Sequence, residues 1–232
     1  TGPIGDAGIA YRVDGVIVQR DGFYTVVDPQ GGTEGDVNDR DRYFVRGQLL
    51  YEPTDTLEFR LIGDYSKRDE SCCGAVYVET RETFDPTPGQ PGDFEYAASN
   101  RIADILSHPY FGETFPAEGD PYSRLISVTP GRTYRNETED YGVSGQLDWS
   151  FGDATLTSIT AYRGYKSGGA ADLDYGRADI YYRADDGNSY RQFKTFSQEL
   201  RLQGSAFEDR LDWLVGGYYA SEKLRVDDNL TY

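Results

Sequence analysis

Few residues of this chain belong to the types that carry catalysis. The single His, His108, directly precedes Pro109, so a Ser/His/Asp set would depend on one residue of a long polar segment. The sequence has no phosphate-binding glycine loop and no paired-histidine metal motif. We therefore expect no enzyme activity, no cofactor and no metal site.

The two cysteines, Cys72 and Cys73, are adjacent. Their spacing fits neither a disulfide framework nor a tetrahedral zinc site. Three interpretations stay open: a vicinal disulfide, two free thiols, or a pair of metal ligands. Adjacent Cα atoms lie closer together than in ordinary disulfides, whereas an oxidising compartment favours the bridge. Such a bridge would stiffen the tip of a loop.

Carboxylates recur along the chain and could resemble a general acid–base pair. Arginines accompany them on the same sides of alternating segments, so we expect ion pairs on one wetted surface instead of catalysis. No individual ligand-binding residue is predicted. The candidates for the wetted surface are Arg12, Asp14, Arg46, Arg60, Asp64, Asp148, Glu199 and Arg201.

Alternation with period two is the strongest pattern in the sequence. In residues 43–52, Tyr43, Val45 and Leu49 share one face, and Arg46 lies on the other. The pattern predicts about seven antiparallel strands. The other segments that show it are residues 55–66, 138–150, 154–166, 192–203 and 210–222, and the stretch that contains Ile9, Tyr11, Val13 and Ile17.

The connections between these segments differ in length. Those after residues 52, 151 and 203 are short, whereas residues 19–42, 67–136 and 167–190 form long charged segments. Short turns at one end and long loops at the other are typical of a transmembrane β-barrel, with periplasmic turns and extracellular loops. Within the longest loop we expect one short helix, with Ser99 as its N-cap and an apolar stripe of Ile102, Ile105 and Leu106.

Aromatic residues support a membrane location. Tyr51, Trp149 and Trp213 lie near the short turns, and Tyr43 and Tyr141 lie eight residues from Tyr51 and Trp149. Eight residues of strand span roughly 26 Å, which is close to the height of the apolar band between two aromatic girdles. We predict an all-β fold, an antiparallel up-and-down transmembrane β-barrel whose wetted surface faces the lumen. We expect the strand at Ile9 to find its partner before Thr1 or across the barrel.

The amino-acid composition argues against two other classes of protein, helical membrane proteins and nucleic-acid-binding proteins. Aromatic residues make up 14% of the chain, with 20 Tyr, against a hydrophobic share of only 38%. No apolar run approaches the length of about 20 residues that a membrane-spanning helix needs. The net charge of -17 argues against nucleic acid as a partner, because phosphate binding needs clustered Lys and Arg. The predicted partner is outer-membrane lipid.

Three stretches resemble TonB-dependent outer-membrane receptors. They are DRDRYFVRGQLLYEPTDTLEFRLIGDYSKRDESCCGAVYVETRE, which is similar to early barrel strands, and FKTFSQELRLQG and LDWLVGGYYASEK, which are similar to later ones. The resemblance implies a bacterial outer-membrane barrel of 22 strands with an N-terminal plug. It also implies uptake of a scarce ligand such as a ferric siderophore, cobalamin or a glycan, with energy passed through TonB.

This chain departs from that whole protein. It contains no Met, no plug and about seven strands, whereas closed bacterial barrels have even strand counts. We therefore expect residues 1–232 to be one partial barrel domain, whose parent protein reaches TonB through an N-terminal region outside the chain. We expect the chain alone not to fold in water. The alternatives are a passive porin-type barrel and a secreted β-rich module that binds or processes glycans.

Overall fold

The computed structural model describes residues 1–5, 7–27, 32–76, 81–84, 94–96, 121–177 and 179–232. The helix predicted after Ser99 lies outside these residues, as does His108. Within them the structure is all-β, apart from a 3-10 turn at Pro121–Ser123. No helix in these ranges is long and apolar enough to cross a membrane.

Strands of very different length make up the fold. In chain order they are β1 (Gly2–Pro3), β2 (Ile9–Arg20), β3 (Tyr24–Val27), β4 (Thr33–Val37), β5 (Arg40–Thr54), β6 (Leu57–Glu70), β7 (Arg81–Phe84), β8 (Phe94–Tyr96), β9 (Leu125–Ile126), β10 (Arg135–Phe151), β11 (Ala154–Asp172), β12 (Tyr182–Arg183), β13 (Tyr190–Ala206), β14 (Leu211–Asp227) and β15 (Leu230–Thr231).

The seven long strands form one antiparallel sheet in the order β2-β5-β6-β10-β11-β13-β14. Each of them pairs with the next long strand along the chain, so the sheet is an up-and-down meander. The predicted all-β, antiparallel up-and-down architecture is therefore confirmed. The expected partner of β2 was wrong: β2 pairs with β5 from Ile9 to Arg20, because the segment between them folds back and brings the two strands into register.

The two ends of the sheet differ. At one end, residues 55–56, 152–153 and 207–210 make short turns, and Gly152 has a left-handed φ of 58° that favours glycine. At the other end, residues 21–39, 71–134 and 173–189 make long connections. Several strands continue beyond the predicted segments towards this long-loop end; β11, for example, continues to Asp172.

The register separates two faces of the sheet. On the first, which we call the apolar face, Leu49, Leu61 and Gly145 lie in one cross-strand row. Aromatic contacts lie near both its ends: Tyr43 with Tyr65 on the long-loop side, and Trp149 with Phe151 beside a short turn. Large apolar side chains on this face are exposed, among them Val13, Val45, Leu61, Val143, Leu200 and Val215.

The described buried core lies at the long-loop end. The short strands β3, β4 and β9 form a three-stranded sheet in which β3 and β9 are parallel. We call this small sheet and its apolar cluster the cap. The cluster consists of Val26, Val37, Ile126, Val128 and Tyr134. Ala170, near the long-loop end of β11, is the one further buried apolar residue in the described ranges. The middle of the long strands therefore contributes no buried apolar side chain.

Candidate functional site on the polar face

The second face of the sheet, which we call the polar face, carries all the predicted wetted residues. The register aligns Asp14, Arg46 and Asp64 in one row across β2, β5 and β6. Arg12 is two residues from Asp14, and Arg60 is four residues from Asp64, so both point to the same side. Further along the sheet, Asp148, Thr157 and Arg201 align across β10, β11 and β13. Glu199, two residues from Arg201, shares that side.

Most of these charges form ion pairs within a single strand. The pairs join residues two positions apart, which point to the same face. Arg12 Nε lies 2.9 Å from Asp14 Oδ2, and Arg60 Nη2 lies 2.9 Å from Glu58 Oε1. Arg201 Nε lies 3.1 Å from Glu199 Oε1. Because both partners are partly exposed, such pairs contribute little stability, and their main effect is to keep the face charged and hydrated.

A larger network of ion pairs crosses the centre of the face, and it was not predicted from the sequence. Arg163 Nη2 lies 3.2 Å from Asp64 Oδ2 and 2.7 Å from Asp140 Oδ1. Gly142 lies between Asp64 and Arg163 in the register, and its missing side chain leaves room for the guanidinium to cross β10. Arg163 belongs to the strand with the least regular alternation, and its partner is two strands away, so no local pattern could reveal the pair.

Arg46 and Asp148 differ in their surroundings. Arg46 has no ion pair or side-chain hydrogen bond among the described residues, and its Nε is buried and unpaired. Asp148 is satisfied by neutral donors: Thr157 Oγ1 donates to it at 2.5 Å and Gln146 Nε2 at 2.6 Å. Arg46 lies in register between Asp14 and Asp64 but forms an ion pair with neither, so an anionic group that bonded to it would displace no existing ion pair.

At the long-loop end of the sheet, Asp172, the last residue of β11, connects this strand to the segment that carries Thr129. It is fully buried, and its Oδ2 accepts a hydrogen bond of 2.8 Å from the amide of Thr129. Its Oδ1 has no partner among the described residues. Burial raises the pKa of the Asp172 carboxyl to about 6, and the charge of Asp174 adds to this, while the Thr129 hydrogen bond opposes it.

The cysteine pair also lies at this end. The structure joins Cys72 and Cys73 in a vicinal disulfide. Asn38 binds the residue after this pair, Gly74, and Asp39 binds the residue before it, Ser71. The side chain of Asn38 accepts from the amide of Gly74 at 3.0 Å and donates to the carbonyl oxygen of Gly74 at 2.9 Å. Asp39 Oδ1 accepts from the amide of Ser71 at 2.6 Å. The turn is therefore anchored at both flanks.

Cys72 borders an open cavity of about 170 Å³ at the long-loop end of the sheet, between β10, β11, β13 and β14. Its polar lining includes Arg135, Arg183 and Arg191. Arg183 binds Asp228, with Nε 2.8 Å from Oδ1, and Arg135 Nη1 lies 3.1 Å from an oxygen of Asp185. The cavity thus combines a disulfide with guanidinium groups from separate strands.

No group of three or more His, Cys, Asp or Glu side chains that could hold a metal ion occurs in the described ranges. Among the predicted carboxylates of the polar face, Asp14, Asp64 and Glu199 are paired with arginines, and Asp148 accepts hydrogen bonds from neutral donors. Comparison with protein-family models, with curated proteins and with solved structures found no match to this chain.

Proposed function

We propose that the chain forms part of the β-barrel of a TonB-dependent outer-membrane receptor, which takes up a scarce ligand such as a ferric siderophore. The observation that carries the proposal is the exposed apolar face. Val143 is 49% exposed, Leu200 50% and Val215 68%, on separate strands of one sheet. Exposing such a face to water costs about 25 cal/mol per Å², whereas lipid tails cover it without that cost.

The ends of the sheet support a membrane orientation. Aromatic contacts lie near both ends of the apolar face, at Tyr43–Tyr65 and Trp149–Phe151, as girdles at the two membrane interfaces would. The short turns would face the periplasm. The long connections and the cap would then lie outside the cell, where a ligand arrives.

The edges of the sheet favour a larger barrel. Among the described residues, β14 pairs only with β13, and the outer side of β2 pairs only with the two residues of β1. Unpaired edges are unfavourable in lipid, because their backbone groups find no water there. We therefore propose that strands outside this chain pair with both edges, and that a plug and a TonB-contacting region belong to the same protein.

In this arrangement the polar face lines the lumen. Its function is binding and passage, so no catalytic residue is required. Arg46, whose side chain forms no ion pair or hydrogen bond among the described residues, is placed to contact an anionic group of the ligand or of the plug. Ferric siderophores, cobalamin and glycans are the ligand classes that the sequence resemblance implies.

The test is to express the complete reading frame that contains this chain and to fractionate the cells. The proposal expects an outer-membrane protein whose electrophoretic mobility changes on heating, preceded by a plug, with ligand uptake that requires TonB. An outer-membrane protein without a plug that conducts solutes independently of TonB would identify a passive porin-type barrel. A soluble secreted product would contradict both and favour a β-rich glycan-binding module.

A further inference from the structure

The Cys72–Cys73 disulfide is asymmetric in its exposure. Cys73 is exposed to solvent, whereas Cys72 is half-buried and borders the arginine-lined cavity. A small thiol from solution therefore has direct access to Cys73, whereas Cys72 is less exposed and borders the open cavity with charged lining.

That space is lined by three arginines, Arg135, Arg183 and Arg191, and by two carboxylates, Asp227 and Asp228. Asp227 is paired with Arg225. The carboxylate partners of Arg183 and Arg135 offset their charges. Arg191 has no ion pair or hydrogen bond from its side chain among the described residues. Its charge is therefore available to stabilise a thiolate that appears at Cys72.

The anchored turn keeps the two sulfurs together after the bond between them opens. Hydrogen bonds from Asn38 to Gly74 and from Ser71 to Asp39 fix the two flanks of the cysteine pair independently of the disulfide. A freed Cys72 thiolate would thus remain beside Cys73, where it can displace a bound thiol and close the disulfide again.

We propose that Cys72–Cys73 is a directional thiol–disulfide exchange site for low-molecular-weight thiols. The thiolate of the small molecule attacks Sγ of Cys73, and a new S–S bond forms there. The Cys72–Cys73 bond breaks, and its electron pair goes to Sγ of Cys72, which leaves as a thiolate at the edge of the cavity that Arg191 also lines. The small thiol has given its proton to solvent, and no other oxidant or reductant is needed.

The test uses the complete folded protein in detergent micelles and two probe thiols of opposite charge, 2-mercaptoethanesulfonate and cysteamine. Samples are quenched with N-ethylmaleimide and digested, and the adducts are located by mass spectrometry. The proposal expects no maleimide on untreated protein. After exchange it expects the probe thiol on Cys73 and maleimide on Cys72, and the anionic probe should react faster than the cationic one. Free thiols before treatment, or probe distributed equally over both cysteines, would overturn it.

Arg191→Gln tests the role of the cavity, and Arg210→Gln is its matched control. Arg210 lies in a short turn at the opposite end of the sheet and has no ion pair among the described residues. We expect Arg191→Gln to slow exchange with the anionic probe about two- to fivefold, as for one partly exposed charge interaction, and Arg210→Gln to leave the rate unchanged. Equal rates in both variants would refute the electrostatic part of the proposal.

A salt titration of the unmodified protein gives the same information without a substitution. Screening should slow the anionic probe and not the cationic one as ionic strength rises from about 0.02 to about 0.5 M. Parallel salt responses of the two probes would contradict the involvement of Arg191, even if the Arg191 variant failed to fold.

Discussion

Arg163 on β11 reaches across β10 to pair with Asp64 on β6, with Nη2 3.2 Å from Oδ2. Gly142 lies beneath the pair, and a Cβ at this position would lie 3.0 Å from Nη1 of Arg163. A packed layer of protein over the polar face would fill this space with side chains. The span across two strands therefore indicates a face that is open to water, opposite a face that is apolar and exposed.

The Asp64–Arg163 pair should contribute little to stability. Arg163 is 52% exposed at its side chain, so a double-mutant cycle of Asp64→Asn and Arg163→Gln should give a coupling of about 0.5–1 kcal/mol. Urea unfolding of the detergent-folded protein measures it. The control cycle combines Asp64→Asn with Arg201→Gln, whose partner is Glu199, and should give no coupling. A coupling of several kcal/mol for the first pair would mean that the polar face is covered.

An arginine on the apolar face should be far more damaging than one on the polar face. Leu61 lies opposite Gly145, midway between Tyr141 and Trp149 along β10, and its neighbour Ile62 points to the other face. We expect Leu61→Arg to destabilise the protein in a bilayer by about 2–4 kcal/mol, as a charge near the membrane midplane does. Ile62→Arg should cost much less, because its side chain would be in water.

The readout for this pair is the fraction of heat-modifiable, membrane-assembled protein, together with unfolding in lipid vesicles. Equal loss of assembly in both variants would indicate that both faces pack against protein. Greater sensitivity at Ile62 would reverse the assignment of the faces.

The cap should lose stability as pH rises through the acidic range. Asp172 is the last residue of β11, at the long-loop end of the sheet. Its pKa of about 6 in the folded protein exceeds the usual value of about 3.9. The folded state therefore binds more protons between these values, and the burial cost of Asp172 grows from about pH 4 to pH 6, by at most about 3 kcal/mol.

Hydrogen exchange of the Thr129 amide, which donates to Asp172, measures this effect after correction for the intrinsic pH dependence. Protection should fall from pH 4 to pH 6.5 in the unmodified protein and stay level in Asp172→Asn. Protection that rises with pH would show that the ionised carboxylate stabilises the cap.

Asn38 should stabilise the cap through its side chain more than through its backbone. Its φ is 66°, a left-handed conformation that Gly adopts without cost. Its side-chain amide makes both hydrogen bonds to Gly74. We expect Asn38→Ala to cost about 2–3 kcal/mol, since it loses these bonds and keeps the unfavourable φ. Asn38→Gly should cost about 1 kcal/mol less. Limited proteolysis of the cap compares the two, and equal rates would show that the backbone conformation is unimportant.

The long strands were predictable because each has a local signal. The alternation at Tyr43, Val45 and Leu49, or at Tyr141 and Val143, shows which side chains share a face of the strand. Because every second side chain points to the same face, the apolar and polar faces of the whole sheet could be assigned from these patterns. The short turns followed from the breaks between alternating segments. β10 begins at Arg135, three residues before the predicted segment 138–150. These first residues, Arg135–Glu137, are all polar and carry no apolar alternation, so their strand conformation could not be predicted.

The cap was missed for a different reason. Thr25 pairs with Leu125, and Val26 with Ile126, in a parallel arrangement. These partners are a hundred positions apart, and no local sequence pattern predicts such a contact. The same holds for Asp172 with Thr129 and for Arg163 with Asp64. The sequence predicted which side of a strand each charge occupies, but partners on other strands depend on register, which the whole sheet determines.

Fluorescence of the chain's two tryptophans can show whether lipid covers the apolar face. Trp149 and Trp213 lie beside the short turns, at the expected periplasmic interface. The complete protein is placed in vesicles of lipids brominated near the headgroup or deep in the acyl chain, and its fluorescence is compared with that of Trp149→Phe and Trp213→Phe variants. If lipid covers the apolar face, both tryptophans are quenched, more strongly by the shallow bromines. Water-like emission from both residues and no quenching at either depth would contradict it.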